Sequence, residues 1–340
     1  MQTVIALGFF DGVHLGHGDL LARAAAVAAE HGWRSAALTF DRSPGKDGRL
    51  LTAVPDRVRL IRELYGVDEV FVLPFTEEFK HLDWETFLEG LVREREAAWL
   101  ICGWNYRFGH LGRGTPELLR DWCAARGLGC DVIPPRVIDG VTVSSTHIKK
   151  LIEAGDVEAA ARFCGHPHSL TGTVRTGRGL GHTLGFPTAN LLPAPELVLP
   201  KDGVYAVRCA VCEQGDDEHR GRFSVFGNTE NRPLCSDAAS VAQAVRRCNE
   251  DEAEMRRCSG VCNVGVRPTV DGQERTVETW LDGFDGDLYG KELTVEFCRF
   301  LRPEQKFPDL ETLRRQVEAD REAALAYFES QTSDACPCMA

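Results

Sequence analysis

"TVIALGFFDGVHLGHGDLLARAAAVAAEHG", residues 3–32, decides the reading of the first half of the chain. Its apolar run, Val4-Ile5-Ala6-Leu7, reads as a strand buried on both faces. An alanine-rich helical pattern over 17–31 follows and stops at His31-Gly32, where glycine supplies the left-handed residue that ends a helix. Between strand and helix, Gly8 and Gly12 allow tight turns and close backbone approach. His14 and His17 sit three apart across the seam. A helix N-terminus carries unpaired N–H groups and a partial positive charge, so it suits a phosphate. Two imidazoles facing one pocket can donate hydrogen bonds to phosphate oxygens where charge builds during attack. Taken alone, H-x-G-H is short and also fits two surface histidines beside a turn.

The pattern continues. Strands are expected at 3–9, 35–40, 69–75, 98–103 and 129–134, and helices near 17–31, 55–65, 84–96, 115–126, 145–154 and 156–164. This alternation predicts an α/β, doubly wound, Rossmann-like parallel sheet over residues 1–165. After Gly165 the texture changes. "SLTGTVRTG", "TANLL", "GVYAVRCAVC", "GVCNVGVRP", "RTVETWLDG" and "KELTVEFCRFL" read as strands split by Gly and Pro turns, predicting a small antiparallel β-barrel over 166–330. A C-terminal helix over about 309–329 starts after Asp309, a candidate N-cap. Residues 213–259 are polar and charged and read as an insertion between two barrel strands; 331–340 reads as a tail.

Composition narrows the function. The chain has 340 residues, 43% of them apolar, and a formal net charge of −12. An acidic balance argues against nucleic acid as a partner, because binding it needs a basic face. No run is long enough for a membrane span, and no signal peptide is visible, so a cytoplasmic protein is expected. The 13 cysteines then read as reduced thiols. Cys209 and Cys212 form a C-x-x-C, but Cys235, Cys248, Cys258 and Cys262 match no paired zinc knuckle.

Ordered motifs make the reading specific. "GFFDGVHLGH" (8–17), "GWNYRFGHLGRG" (103–114), "VSSTHIKKLIEAGDVEAAARFCG" (143–165), "LGFPTANL" (184–191), "GVCNVGVRPTV" (260–270), "VETWLDGFDGDLYGK" (277–291) and "LRPEQKF" (301–307) occur in this order. Together they resemble the prokaryotic bifunctional riboflavin kinase/FMN adenylyltransferase family, also called FAD synthetase. The resemblance covers nearly the whole chain apart from the insertion and the last residues. It implies phosphorylation of riboflavin to FMN by ATP, then adenylylation of FMN to FAD with release of pyrophosphate, with Mg²⁺ as cofactor and ATP as co-substrate. Riboflavin, FMN and ATP are the partners it implies; oligomeric state stays open.

The resemblance also assigns residues. His14 and His17 would hold the ATP phosphates, and Gly8, Phe10, Asp11 and Gly12 would bind the nucleotide with them. Asn105 would lie near the phosphates, and Ser144, Ser145, Thr146 and Lys149 would serve the leaving pyrophosphate. In the second half, Thr188 and Asn190 lie two apart in an extended segment, so both point to one face, and their oxygens suit Mg²⁺. Glu278 matches the family's catalytic base. Gly177, Gly179 and Gly181 look like a loop closing over phosphates, and Arg302 with Phe307 falls at the flavin-side flap. Two positions of the first half depart from the family pattern: Ser43 stands for the histidine of T-F-x-x-H-P, and Lys149 for the arginine of S-S-T-x-I-R. They keep open a riboflavin kinase with a weakened or lost adenylyltransferase site; a non-catalytic flavin-binding regulatory protein is the third reading.

Overall fold

The computed structural model describes residues 1–45, 48–175, 186, 188–212, 256–269 and 272–333. It divides into two compact units, the first including Met1–Ser145 and the second the described residues from Thr146 onward.

The first unit is built on five parallel strands: β1 (Thr3–Leu7), β2 (Arg34–Phe40), β3 (Glu69–Leu73), β4 (Ala97–Gly103) and β5 (Gly129–Ile133), in the order β3-β2-β1-β4-β5. β1 is central and buried along its whole length, which is why its sequence is apolar without alternation. Helix α1 (Leu15–His31) joins β1 to β2, and its buried stripe of Leu20, Leu21, Ala24, Val27 and Ala28 belongs to one core cluster with Val4 and Ala6 of β1. Gly18 lets the helix approach Tyr65, since a Cβ there would overlap the Tyr65 hydroxyl. Gly32 closes the helix at φ 65°, as its position in the sequence implies. Helices α2 (Val54–Tyr65), α3 (Glu77–Lys80), α4 (Trp84–Arg95) and α5 (Pro116–Ala124) supply the remaining crossovers. Strand order reverses between β1 and β4, so the loops leaving their C-terminal ends, 8–14 and 104–115, flank the topological switch point where such sheets bind ligands. A two-stranded hairpin, β6 (Val137–Ile138) and β7 (Val141–Thr142), precedes α6 (Ser145–Ala154) and α7 (Val157–Cys164).

The second unit is a closed six-stranded barrel. Its strands are β8 (His168–Arg175), β9 (Thr188–Leu191), β10 (Gly203–Cys212), β11 (Arg256–Thr269), β12 (Gly272–Leu281) and β13 (Glu292–Arg302). They close antiparallel in the order β10-β11-β12-β9-β8-β13. The contact division falls at Ser145, so α6 and α7 group with the barrel, ahead of the change in sequence texture at Gly165. β11 begins at Arg256, so four residues read as insertion are strand. Helix α8 (Leu310–Ser333) starts with the Asp309 carboxylate accepting the Thr312 N–H at 2.7 Å, an N-cap bond. Ala324 and Phe328 of α8 pack on Ala206 and Cys298. A two-pronged pair, Arg302 Nε and Nη2 on the Asp320 carboxylate at 2.8 and 2.7 Å, ties α8 to the end of β13.

His168 sits in the barrel core, stacked on Phe297, with Nε2 3.1 Å from the Val198 carbonyl. Burial, against the opposing pull of that carbonyl, pushes its pKa from 6.5 down to about 4. A depressed histidine pKa means that the unfolded chain binds the extra proton. Its contribution is therefore complete above 6.5 and drains away as pH falls toward 4, a loss of about 3 kcal/mol for this group. His168→Gln keeps an N–H donor and removes the titration. The stability difference between wild type and variant is expected to narrow or reverse between pH 7 and pH 4.5 in urea melts of the barrel; a difference that stays constant with pH refutes the assignment.

Candidate active sites

Loop 8–14, which joins β1 to α1, holds an unusual backbone. Phe10, Gly12 and Val13 take positive φ of 56°, 79° and 39°. A β-branched or bulky residue there is strained, and strain of this kind persists only where its surroundings enforce it. Four bonds enforce it. The buried Asp11 carboxylate accepts the Leu51 and Thr52 N–H groups at 2.8 and 3.2 Å. The Thr52 hydroxyl accepts the Gly12 N–H at 3.1 Å. The Thr39 hydroxyl donates to the Phe9 carbonyl at 2.6 Å. Gly8 makes room for the Phe10 ring, whose nearest atom lies 2.9 Å from where a Cβ would stand.

The loop delivers both histidines to the start of α1. His14 is the N-cap, and its Nδ1 accepts the His17 N–H at 3.2 Å. An accepting Nδ1 fixes the neutral tautomer with the proton on Nε2. The two rings stack at 3.5 Å between centroids, and Phe10 meets His17 edge-on at 5.3 Å. His17 Nδ1 is buried without a hydrogen-bond partner. Burial first, then the repulsion that a proton on His17 would meet from His14 and from Arg57, holds the His17 pKa well below 6.5. His17 is therefore neutral at physiological pH, a hydrogen-bond donor rather than a cation. The Leu15 and Gly16 N–H groups have no partner among the described residues, as expected of a helix N-terminus.

The other sequence candidates of this half fall as follows. Asn105 is exposed in the turn after β4. Ser144 precedes α6, and the Ser145 hydroxyl donates to the Asp11 carbonyl at 3.0 Å, which sews this motif to loop 8–14. Thr146 and Lys149 are on α6 and group with the second unit. Ser43 lies in a turn and its hydroxyl accepts the Gly45 N–H at 3.1 Å. Asp11 uses its carboxylate on protein backbone, so its part in the site is to hold the loop. Arg57 on α2 escaped the sequence reading. It is fully buried, with Nη1 on the Thr39 hydroxyl and the Phe40 carbonyl at 3.0 and 2.9 Å and Nη2 on the Thr52 carbonyl at 3.3 Å. Its guanidinium also lies 4.3 Å from the Phe9 ring centre. Burial lowers its pKa to about 10, so it remains charged at neutral pH.

In the barrel, strand register builds the second site. Val277, Thr279 and Leu281 of β12 are buried, so Glu278 and Trp280 between them face outward. On β9, Ala189 and Leu191 are buried, and Thr188 and Asn190 face outward. Glu278 stands opposite Asn190 on one side and Asn263 on the other; Asn190 stands opposite Arg175. Thr188 stands opposite Trp280. The metal candidates and the candidate base thus share one outer patch. The Asn190 Nδ2 points to the Thr188 carbonyl at 3.4 Å. Trp280 is flanked by the Phe186 ring at 6.0 Å and the Arg321 guanidinium at 5.5 Å. Gly265, on the same face as Asn263, leaves space for Glu304 Oε1, 2.5 Å from where its Cβ would be. Asn263 and Glu304 were not singled out in the sequence.

Three expectations need separate statement. Gly177, Gly179 and Gly181 lie outside the described residues. Arg302 spends its fork on Asp320 and lies 5.7 Å from the Phe307 ring centre, so it braces the flap segment. Cys235 and Cys248 lie outside the described residues, and among the described residues no group of three or more His, Cys, Asp or Glu could hold a metal ion.

Gly12→Ala tests the loop. It would place a Cβ 2.5 Å from Leu51 Cδ1 at a left-handed φ of 79°. A loss of about 1–3 kcal/mol is expected from strain alone; an unchanged denaturation midpoint for the first unit would show that the loop relaxes freely.

Comparison with known proteins places both units in one family. The FAD synthetase family model matches residues 1–147, and the riboflavin kinase family model matches residues 164–328. A bifunctional riboflavin kinase/FMN adenylyltransferase of Listeria monocytogenes is 30% identical over 96% of this chain and 93% of its own length. One of Pseudomonas fluorescens is 32% identical over 95% and 92%. A crystal structure described as a macrolide-efflux protein of Streptococcus pneumoniae aligns at a TM-score of 0.74 and 25% identity, covering 95% of this chain and 93% of that one. That description does not extend to this chain, in which no described helix is long and apolar enough to cross a membrane. With a parallel-sheet unit ending in His14 and His17, a barrel unit presenting Thr188, Asn190 and Glu278, and relatives matched from end to end, the chain belongs to the bifunctional riboflavin kinase/FMN adenylyltransferase family.

Proposed function

We propose that the chain phosphorylates riboflavin on the barrel and adenylylates FMN on the parallel-sheet unit, each reaction consuming ATP. The observation that carries this reading is that each unit has its own phosphate-handling set: the His14/His17 helix start in one, the Thr188–Asn190–Glu278 patch in the other. We assign the adenylyltransferase to residues 1–165 and the kinase to 166–330, in the cytoplasm.

In the kinase, Glu278 accepts the proton of the riboflavin 5′-hydroxyl as its oxygen attacks the γ-phosphorus, and ADP leaves. The Thr188 hydroxyl and Asn190 amide oxygen are hard, uncharged donors on the same face as Glu278, the donor type that Mg²⁺ takes while keeping most of its water. Bound there, Mg²⁺ supplies neutralisation of phosphate charge. In the adenylyltransferase, an FMN phosphate oxygen attacks the α-phosphorus of ATP and the bond to the pyrophosphate oxygen breaks. His14 and His17, both neutral, donate hydrogen bonds to phosphate oxygens, and the open N–H groups at the start of α1 add to them. Ser144, Ser145, Thr146 and Lys149 serve the pyrophosphate, and Asn105 the nucleotide phosphates. Ser43 favours a second reading, a kinase with weakened adenylyl transfer, because a short hydroxyl that accepts the Gly45 N–H stands where the family has an imidazole.

Incubation with riboflavin, ATP and Mg²⁺ followed by separation of the flavins tests the proposal: FAD supports two activities, FMN alone supports the second reading, and unchanged riboflavin refutes both. Glu278→Gln is expected to lower FMN formation by about 10²–10⁴-fold while FMN supplied directly still becomes FAD. His17→Ala is expected to do the reverse. If His17→Ala stopped FMN production as thoroughly, with folding verified, the assignment of separate sites would fall. Ser43→His should raise FAD yield if the missing imidazole limits adenylyl transfer; an unchanged yield in the folded variant refutes that role.

A further inference from the structure

The barrel carries sulfur chemistry that neither proposed reaction uses. Cys209 on β10 and Cys258 on β11 are directly opposed in the antiparallel register. Opposed residues share a face, and here it is the inward one: Cys209 is buried among the odd-numbered residues Tyr205, Val207 and Val211, and Cys258 shares its parity on β11 with buried Cys262 and Val264. Directly opposed antiparallel residues have Cα atoms about 4.5–5.5 Å apart, within the roughly 4.4–6.8 Å span that a disulfide bridges. The neighbouring cysteines lack such a partner. Cys262 faces Tyr205, and Cys298 lies under α8 with Ala206, Ala324 and Phe328.

We propose that Cys209 and Cys258 form a redox modification site, a cross-strand thiol pair that closes to a disulfide on reaction with a low-molecular-weight disulfide of the glutathione class. The order of events follows from exposure. Cys258 is partly exposed and Cys209 is 1% exposed, so Cys258 meets the oxidant. Its thiolate attacks one sulfur of the small disulfide, whose S–S bond breaks and releases one small thiolate. Cys209 gives up its proton to solvent and attacks the Cys258 sulfur, releasing the second small thiolate. The two protein thiols lose two electrons and two protons, and one small disulfide becomes two thiols. Burial, followed by the adjoining Cys258, pushes the Cys209 thiol well above its ordinary pKa, which makes it the slower, resolving member.

The location gives closure a consequence. β10 and β11 are joined through residues 213–255, and the pair lies near the strand ends from which that stretch of chain departs and returns. A bridge there ties the two ends together and restricts the unfolded chain. It lies on the inward face, whereas Asn263, beside Glu278, lies on the outward one. Closure therefore leaves the kinase patch uncovered.

The test uses the full chain, reduced, desalted and incubated without oxygen in glutathione disulfide. Remaining thiols are blocked with an alkylating agent, and the protein is digested and mapped without reduction. The expected product is a peptide pair joined through Cys209 and Cys258, lost on treatment with dithiothreitol. Cys209→Ser is expected to stop at a glutathione adduct on Cys258, and Cys258→Ser to give neither adduct nor link at Cys209. Recovery of Cys258 in the wild type as a free thiol, as an unlinked adduct, or joined to a cysteine other than Cys209 overturns the proposal.

Discussion

The Asp11 carboxylate, buried and holding the backbone N–H groups of Leu51 and Thr52, is the constraint on which the first unit depends. Without it the chain has no reason to keep Phe10 and Val13 at positive φ, since each is costly for an L-residue with a bulky or branched side chain. With it, residues 50–52 become a strap across loop 8–14. Arg57 locks the strap from beneath, reaching the Thr52 carbonyl at one end of its fork and Thr39 and Phe40 at the other. Asp11 and Arg57 are opposite charges buried in one network, and the aspartate charge offsets part of the desolvation that lowers the arginine pKa. Once the loop is held, His14 must cap α1, its Nδ1 must accept the His17 N–H, and the rings must stack. The protonation state of the site is thus an outcome of backbone geometry.

The barrel solves a similar problem by register alone. Side chains alternate in and out along each strand, so a slip of one residue between β9 and β12 would turn Asn190 and Glu278 to opposite faces. The inward set of Val264, Val277, Phe297 and Leu170 prevents the slip, because a one-residue shift would place polar residues in the core. The outward row of Arg175, Asn190, Glu278 and Asn263 is then the complement of a well-packed interior. The barrel therefore positions its chemistry without a strained loop among the residues that carry it.

Much of this was legible before any coordinates, and what was not has identifiable causes. The five sheet strands and helices α1, α2, α4 and α5 of the first unit match their sequence patterns to within about one turn at each end, because most carry a strong period and a clear stop such as Gly32, whereas the short α3 and the β6–β7 hairpin had no expected counterpart. The register of β9, β12 and β11 was beyond the sequence, since it depends on pairing across long separations. Arg57 looked like any charged residue of α2, next to Arg59 and Arg62. Its only signal was position: it lies four residues before buried Ile61 and so on the inward face of the helix. Arg302 and Asp11 were read toward a ligand, and both turn their charge to the protein, Arg302 to Asp320 and Asp11 to backbone. A motif identifies such residues without saying whether they touch the ligand or hold what does.

The two sites meet the same electrostatic difficulty in opposite ways. The chain carries a formal net charge of −12, and its proposed substrates are polyanions. At the start of α1 the proposed answer is neutral: imidazoles and backbone N–H groups would stabilise phosphate through oriented dipoles, which cost no solvent reorganisation when charge moves. A neutral pair is also the state that the geometry permits, because two imidazolium rings stacked at 3.5 Å would repel each other in a desolvated pocket. On the barrel the proposed base is a carboxylate, which would bring negative charge to a phosphate. That proposal calls for a compensating cation, and the uncharged oxygens of Thr188 and Asn190, on the face that Glu278 shares, would leave such a cation its full charge for the phosphates. Under the proposed roles the barrel patch depends on a divalent ion for charge compensation, whereas the helix start carries compensation of its own.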